Sequence, residues 1–429
     1  MRAMRNLLIL SLLALPLSAQ TLTSRVNSEL PQLVETYKTL HTSPELSTQE
    51  AKSSALVAAR LKEMGYEVTE RVGKYTDTQA TCYGVVAVMK NGKGPTVLIR
   101  SDMDALPIEE QTGLAYASTN KGVMHACGHD VHMTTLLGTA KLLAGMRDKW
   151  HGTLVLIGQP AEEVVKGAGA MLRDGLYERF PKPDYVIALH DHATLAAGTV
   201  GYVSGYMMAA GDSANVTIRG ISGHGAAPEK TKDPIVMASE FVMQLQTLVS
   251  RENSPLDPVV VTVGSIHGGT KRNIIPDEVQ LLMTIRTYKP EVRKRVHEGI
   301  VRIAKGVGVL NGMPEDRMPV VEFLEGESIG ATYNDPALTE RLVRAASKEL
   351  GAANVVKIDP LMVSEDFSLY SLDHKIPALM FNLGAVEPAR IASGEPLPSL
   401  HSSKFAPVPD ATIRTGVRLM VASALDLLQ

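Results

Sequence analysis

The stretch His125-Ala126-Cys127-Gly128-His129-Asp130-Val131-His132 packs one thiol and three imidazoles into eight residues, spaced by the small Ala126 and Gly128. Thiolate and imidazole suit zinc and similar divalent metals, and the small spacers let backbone and side chains converge on one point. Taken alone, the cluster is also compatible with core packing, or with one half of a Cys82–Cys127 disulfide. Cys82 and Cys127 are the only two cysteines, which excludes a disulfide-dense scaffold and any four-cysteine zinc site.

A second group is Gly158-Gln159-Pro160-Ala161-Glu162-Glu163, directly after the apolar run Leu154 to Ile157. Pro160 ends that strand and a helical stretch is expected from Val164, so both carboxylates fall at a strand-to-helix corner, where a helix start favours negative charge. Adjacent residues project in different directions. One carboxylate is then free to bind a metal while the other faces a water, the division of labour that metal-assisted hydrolysis needs. An isolated Glu pair is otherwise an ordinary solvated first turn.

Two more histidines fall at expected element ends. His190 closes the run Tyr185 to Leu189, and His401 lies in Leu400-His401-Ser402-Ser403, ahead of a terminal helix. Open α/β sheets place their sites at such ends. Each histidine alone is unremarkable as a structural residue. Together the set Cys, His, Glu, His, His offers enough ligands for two metals.

A competing chemistry is offered by Gly326-Glu327-Ser328-Ile329-Gly330, which fits the G-x-S-x-G pattern of serine hydrolases. That elbow requires strand, serine and helix in immediate succession. Here Thr332-Tyr333-Asn334-Asp335-Pro336 intervenes before the next helix, and the pattern lacks its context.

The elements that must carry these groups alternate. Residues 45 to 64 read as a helix, with Ala51, Ala55, Leu56, Ala59 and Leu61 on one stripe that stops at Gly65. Gly84 to Met89, Thr96 to Ile99, Thr153 to Ile157 and Tyr185 to Leu189 are continuous apolar runs, as expected of strands covered on both faces. From about residue 210 a second order begins. Asn215 to Arg219 (strand), Asp233 to Val249 (helix), Val259 to Ile266 and Val279 to Tyr288 (strands), Glu291 to Val307 (helix) and Pro319 to Leu324 (strand) give the β-α-β-β-α-β sequence of a ferredoxin-like unit. Pro336 to Leu350 (helix), Ala378 to Asn382 (strand) and Ala411 to Leu428 (helix) then return to the first character. The predicted fold class is α/β: a discontinuous catalytic domain with a mixed sheet flanked by helices, interrupted by a ferredoxin-like α+β lid or dimerisation domain. The boundaries are 20–207, 208–328 and 329–429, with 1–19 set aside.

Those first residues carry Arg2 and Arg5 ahead of the apolar run Leu7 to Leu17 and end at Ser18-Ala19, the anatomy of a secretory signal. The run is short for a membrane span, although an uncleaved anchor is the alternative. An exported protein, periplasmic or secreted, is expected, without stable membrane insertion. The 429 residues have 45% hydrophobic and 21% charged side chains, which excludes a mainly disordered chain. A net charge of −3 gives no footprint for nucleic acid. An exported two-lobed solute-binding protein fits the signal and the lobes but leaves the ligand-type residues without a purpose.

The combination of motifs resembles the aminoacylase and carboxypeptidase family of two-metal hydrolases, in particular its hippuricase-like branch of N-acyl-amino-acid and auxin-conjugate amidohydrolases. The matching stretches are Ser101-Asp102-Met103-Asp104-Ala105-Leu106-Pro107, the His125 to His132 cluster, Gln159 to Glu163, Leu189-His190, Gly223-His224-Gly225-Ala226-Ala227-Pro228, Asn273-Ile274-Ile275-Pro276, Ser364-Glu365-Asp366-Phe367 and Leu400-His401. They follow the family's order over nearly the whole chain.

The resemblance implies two divalent metal ions per subunit, zinc, manganese, nickel or cobalt, held by Cys127, His129, Glu163, His190 and His401. It implies Glu162 as the general base, His224, often supplied by a dimer partner, as the group that stabilises the oxyanion, and Asp102 and Asp104 as supports that orient a ligand imidazole. Asn273 is implied beside the substrate, and Arg286 against its carboxylate. The implied reaction is cleavage of the amide bond of an N-acyl or N-aroyl amino acid, with short peptides as the alternative substrate, in a homodimer formed through the lid. Asp191-His192-Ala193 stands where the branch usually has an aromatic residue and a proline after His190, and Glu229 where histidine is common. Cys82, His132 and His192 have no implied role.

Overall fold

The computed structural model describes residues 21–429; the signal-like segment lies outside the described residues. Its centre is an eight-stranded mixed sheet in the order Glu67–Glu70, Val85–Asn91, Gly152–Gln159, Thr96–Asp102, Tyr185–Ala196, Ala378–Val386, Val200–Tyr202, Val355–Lys357. Strands Gly152–Gln159, Thr96–Asp102, Tyr185–Ala196 and Ala378–Val386 run parallel, so their carboxyl ends share one edge.

The continuous apolar runs are explained by cover on both faces. Val97, Ile99, Leu154, Leu156 and Ile187 enter one core with the helices Leu22–Thr42, His129–Ala144 and Pro409–Leu427. Their alternates Leu98, Val155, Ile157, Val186 and Ala188 enter a second core with Ala168, Met171, Phe367 and Tyr370.

Residues 210–323 build a separate four-stranded antiparallel sheet, ordered Val259–Gly268, Glu278–Thr287, Ala210–Arg219, Val320–Phe323. The helices Pro234–Ser250 and Pro290–Leu310 cover one face and share its own hydrophobic core. The chain order is the β-α-β-β-α-β read from the sequence.

Several boundaries differ from the sequence reading. The helix expected at 45 to 64 is Ala51–Glu63, because Glu45 is used as a cap: its Oε2 accepts from the Lys52 and Ser53 amides at 2.9 and 2.8 Å. The strand bearing His190 does not end there but runs on to Ala196, its extension paired by Ala378–Val386 with Asn382 opposite His190. The strand expected from Asn215 starts at Ala210. No helix starts at Val164. Residues 161–166 form a turn with Ala161 and Val165 at φ 52° and 55°, and the helix is Gly167–Arg173. Two helices, Leu22–Thr42 and His129–Ala144, lie where the sequence reading placed none.

Candidate metal centre

The carboxyl edge of the large sheet gathers the predicted groups. Strand Thr96–Asp102 delivers Asp102 and then Asp104; Gly152–Gln159 leads into Glu162 and Glu163; Tyr185–Ala196 carries His190. Gly128 turns the chain at φ 87° into helix His129–Ala144, and a Cβ there would fall within 2.9 Å of three atoms of the Asp191 side chain, so only glycine fits between Cys127 and His129. His401 arrives from the other end of the chain at φ 62°, a strained backbone state, with its amide donating to the Ala126 carbonyl at 2.9 Å.

The five donors form two triads that share Cys127: Cys127, His129 and His190 on one side, Cys127, Glu163 and His401 on the other, with ligand atoms within 4.8 Å of one another in each. Cys127 Sγ is 3.5 Å from His190 Nε2, and His401 Nε2 is 3.3 Å from Glu163 Oε2. His129 donates through Nδ1 to the Asp104 carbonyl and His190 through Nδ1 to the Asp191 carbonyl, each at 2.8 Å. Both rings are thereby oriented with Nε2 toward the cluster, the nitrogen that a metal would take on displacing its proton. Cys82, by contrast, is a free thiol turned toward the Val72 carbonyl, and no disulfide joins it to Cys127.

The donors fit divalent cations on electrostatic grounds as well. His129 Nε2 and Glu163 Oε1 are buried without a hydrogen-bond partner. Burial, with Glu365 and Glu163 nearby, holds the Glu162 carboxyl well above its usual range. Burial lifts Glu163 to about 7 against the opposing charge of His129. Burial and Glu163 push the Cys127 thiol well above its ordinary value. Burial would lower His129, but Asp102, Asp104 and Glu163 outweigh it and raise the ring to about 10. The cluster thus collects protons where cations would otherwise neutralise it, and ligands of this kind release protons when a metal binds.

A third triad, Asp102, His129 and His132, is spoken for by hydrogen bonds. His132 donates from Nδ1 to Asp102 Oδ1 at 2.6 Å and accepts the Asp191 amide on Nε2 at 2.8 Å, while Asp102 Oδ2 takes Arg100 at 2.5 Å.

A family model described as Peptidase family M20/M25/M40 matches residues 98–426, most of the chain. The chain belongs to that family. Among M20 relatives, it is 39% identical to hippurate hydrolase of Campylobacter jejuni over 77% of this chain and 82% of that one. It is 35% identical to thermostable carboxypeptidase 1 of Saccharolobus solfataricus over 87% and 90%. Among solved structures, a putative aminohydrolase from methicillin-resistant Staphylococcus aureus superposes with a TM-score of 0.85 at 33% identity, covering 95% of this chain and 99% of that one. The YXEP protein of Bacillus subtilis, titled a dinuclear metal binding peptidase from the M20 family, gives 0.75 at 29% over 94% and 99%.

In this M20 chain a cavity of about 680 Å³ is lined by Cys127, Glu162, Glu163, His190, His401 and Arg286. His224 and Asn273 do not line it. Both are exposed: His224 ends the short strand Gly223–His224, Asn273 directly precedes its partner Ile274–Ile275, and His224 Nδ1 accepts the Ala226 amide at 3.0 Å. Glu229 is also exposed, in the turn Pro228–Lys230. The Asp191 side chain lies against Gly128 with neither carboxylate oxygen hydrogen-bonded, and the cavity wall after His190 is made by Asp191, His192, Ala193 and Thr194. Ser328 donates to the Leu324 carbonyl at 3.0 Å and precedes the strand Thr332–Asn334, so no nucleophile elbow exists there.

Asp104 orients the His129 ring, mainly through its main chain. Its backbone carbonyl, not its carboxylate, is the closest hydrogen-bond partner of His129, while the carboxylate accepts the amides of Glu162 at 3.1 Å and Glu163 at 3.0 Å. The preceding amide, Ala161, donates to Glu50 Oε1 at 2.8 Å. Three successive amides of the corner are thus clamped by two buried carboxyl groups. Asp102 does not hold a ligand ring by a direct hydrogen bond; it holds His132.

The sequence reading missed Glu50 and also Arg100. The Arg100 guanidinium is wholly buried against Asp102, Glu365 at 2.7 Å and Asp366 at 3.2 Å, with Nε on Gln159 Oε1 at 2.9 Å. An arginine directly after the apolar run Val97 to Ile99, within a strand expected to be covered on both faces, is the signal that marks it.

Proposed function

We propose that the protein is a metal-dependent amidohydrolase that cleaves N-acyl or N-aroyl amino acids into a carboxylic acid and an amino acid. The observation that carries this reading is the pair of donor triads sharing Cys127, with Glu162 beside them and Arg286 on the same cavity. Two divalent ions per subunit, zinc, manganese, nickel or cobalt, match that donor count. When bound, such ions act as Lewis acids and lower the pKa of water toward 7. Cys127, His129, Glu163, His190 and His401 would hold them.

The chain's own residues do the rest. Glu162, buried beside the donors, takes the proton of the attacking water and returns it to the leaving nitrogen. Asp104 and Glu50 keep the corner that presents Glu162 fixed. Arg286 meets the substrate carboxylate, and Met208, Leu361, Met362 and Leu400 give the cavity an apolar wall for the acyl group. The hippurate hydrolase relative supports the acyl-amino-acid substrate, and the carboxypeptidase relative supports short peptides as the second reading.

The inserted unit acts as a lid and as the contact of a homodimer. Strand Val259–Gly268 lies at the edge of its sheet, and Ile266 is exposed, as are Ile235 and Met243 on the neighbouring helix. Such an edge is ready to pair with a second copy. His224, remote from the cavity of its own chain, then serves the partner's site with Asn273. Mixing Glu162→Gln with His224→Ala protein tests this: activity returns in the hybrid if His224 acts across the dimer and stays absent if it does not. Export to the periplasm or medium follows from the residues before Gln20; the mass of the exported protein, with or without Met1–Ala19, decides it. No helix among the described residues is long and apolar enough to cross a membrane.

The substrate reading is tested by assaying amine release from N-acetyl and N-benzoyl amino acids and dipeptides with each metal. Release that a chelator abolishes and added metal restores is expected. Glu162→Gln should keep its metal and lose nearly all turnover. No release from any acyl amino acid or peptide would favour a solute-binding role.

A further inference from the structure

We propose that the His192 imidazole selects the acyl group of the substrate, its Nε2–H donating to a neutral oxygen carried by an otherwise apolar acyl group. This rests on the amidohydrolase reading and specifies which acyl groups the site accepts.

The strand Tyr185–Ala196 continues past His190, and its period of two returns His192 and Thr194 to the face that carries His190. Deeper in the sheet the same face is apolar: Val186 and Ala188 enter the second core with Met208 and Met380. At the carboxyl end that core opens, and Met208, His190, His192 and Thr194 become cavity wall. A polar ring thus stands where the face leaves the core.

The tautomer of that ring follows from its neighbour. The Thr194 amide donates to His192 Nδ1 at 3.3 Å, and the Thr194 hydroxyl lies 3.2 Å from the same nitrogen. An amide N–H can only donate, so Nδ1 is the acceptor and Nε2 carries the hydrogen. Nε2 makes no hydrogen bond to the described residues and is not one of the enclosed polar atoms, in a ring that is half-buried. His192 is therefore an oriented and reachable donor without a protein acceptor.

The surroundings define what it meets. Leu361, Met362, Leu397 and Leu400 line the same cavity, so the body of the group is apolar. Arg286 alone supplies a lysine or arginine to that lining, and it also lines an adjoining cavity of about 370 Å³ to which none of His192, Thr194, Leu397 and Leu400 contributes. The His192 end thus has no lysine or arginine, while Glu162, Glu163 and Glu365 lie on the cavity wall. An anionic acyl group would meet no side-chain counter-ion at that end, and a plain alkyl group would leave the donor unmet. An ether oxygen on an aroyl ring satisfies both conditions.

The test compares kcat/KM of the metal-loaded enzyme for N-benzoylglycines that carry a methoxy or an ethyl group at the meta or para position. The two groups match in size and differ in the oxygen. For at least one position the wild type should prefer methoxy about fivefold or more, the worth of one hydrogen bond between neutral groups. His192→Phe keeps a ring without the donor, and its methoxy-to-ethyl ratio should fall by about the same factor. His192→Gln places an amide N–H near the former Nε2 and should retain most of the preference. Each comparison is a ratio within one enzyme, so general damage to the fold or to metal binding cancels. A wild type without methoxy preference at either position, a ratio unchanged in His192→Phe, or equal ratios in the Phe and Gln variants overturns the assignment. Hydrolysis of unsubstituted N-benzoylglycine but of none of the substituted ones overturns it too and leaves the amidohydrolase reading standing. No release from any of these, from N-acetyl amino acids or from dipeptides overturns both.

Discussion

His401 Nε2 lies 3.3 Å from Glu163 Oε2, although the whole second sheet intervenes between them in the chain. The His401 side chain is half exposed and its ring makes no other ion pair among the described residues, so it contributes to a bound cation far more than to the core. His401→Ala should therefore lower turnover beyond the roughly 10–100-fold usual for loss of a group behind a metal ligand. The melting temperature of the chelated protein should stay close to wild type. Scanning calorimetry with chelator, beside initial rates with metal, checks both.

Arg100 is a different case because its charge is wholly enclosed by Asp102, Glu365 and Asp366. Arg100→Met leaves buried carboxylates without a counter-ion, and loss of one member of such a group costs about 3–5 kcal/mol. Urea unfolding of the metal-free protein should show a loss of that order. A change below about 1 kcal/mol would mean that the carboxylates are neutral in the folded state.

Asp104 holds the Glu162 and Glu163 amides with its two oxygens. Asp104→Asn keeps one acceptor and places an NH₂ against the other amide, so the corner must shift. Turnover should fall roughly 10–100-fold while the substrate KM changes little. A pure rise in KM would contradict this positioning role.

Glu50 gives a pH prediction. Burial, with the Asp104 charge adding, raises its carboxyl from 4.5 to about 8. The folded chain then binds more protons than the unfolded one between those values, so stability falls as pH rises from about 4.5 to about 8. Glu50→Gln retains an oxygen for the Thr48 and Ala161 amides and removes the ionisation. Urea midpoints of the chelated protein near pH 5 and pH 8.5 should differ less in the variant than in the wild type. Equal differences would show that Glu50 does not titrate in this window.

The sheet and the donors were legible because each rests on local chemistry. Leu98 and Ile99, or Leu154 to Ile157, must be strands covered on both sides, and Cys127, His129, Glu163, His190 and His401 advertise themselves by residue type, although His190 sits within its strand and not at the end. Helix His129–Ala144 was not legible: Val131, Leu136 and Leu143 are buried, but so are Asp130, His132 and Thr134, which leaves no polar stripe to reveal the period. Helix Leu22–Thr42 does carry such a stripe in Val26, Leu30, Leu33, Val34, Tyr37 and Leu40, and that spacing could have found it. The Arg100 cluster and the Glu50 clamp depend on which distant acids meet, and only the folded arrangement decides that. The same holds for His224, whose place away from the cavity of its own chain has no local signature.

Metal content per chain tests the central claim most directly. After loading with zinc or manganese and exhaustive dialysis, elemental analysis should find two equivalents in the wild type and one or fewer in Cys127→Ala, because that thiol belongs to both triads. A wild type holding less than one equivalent, or a Cys127→Ala variant still holding two, would contradict the shared centre.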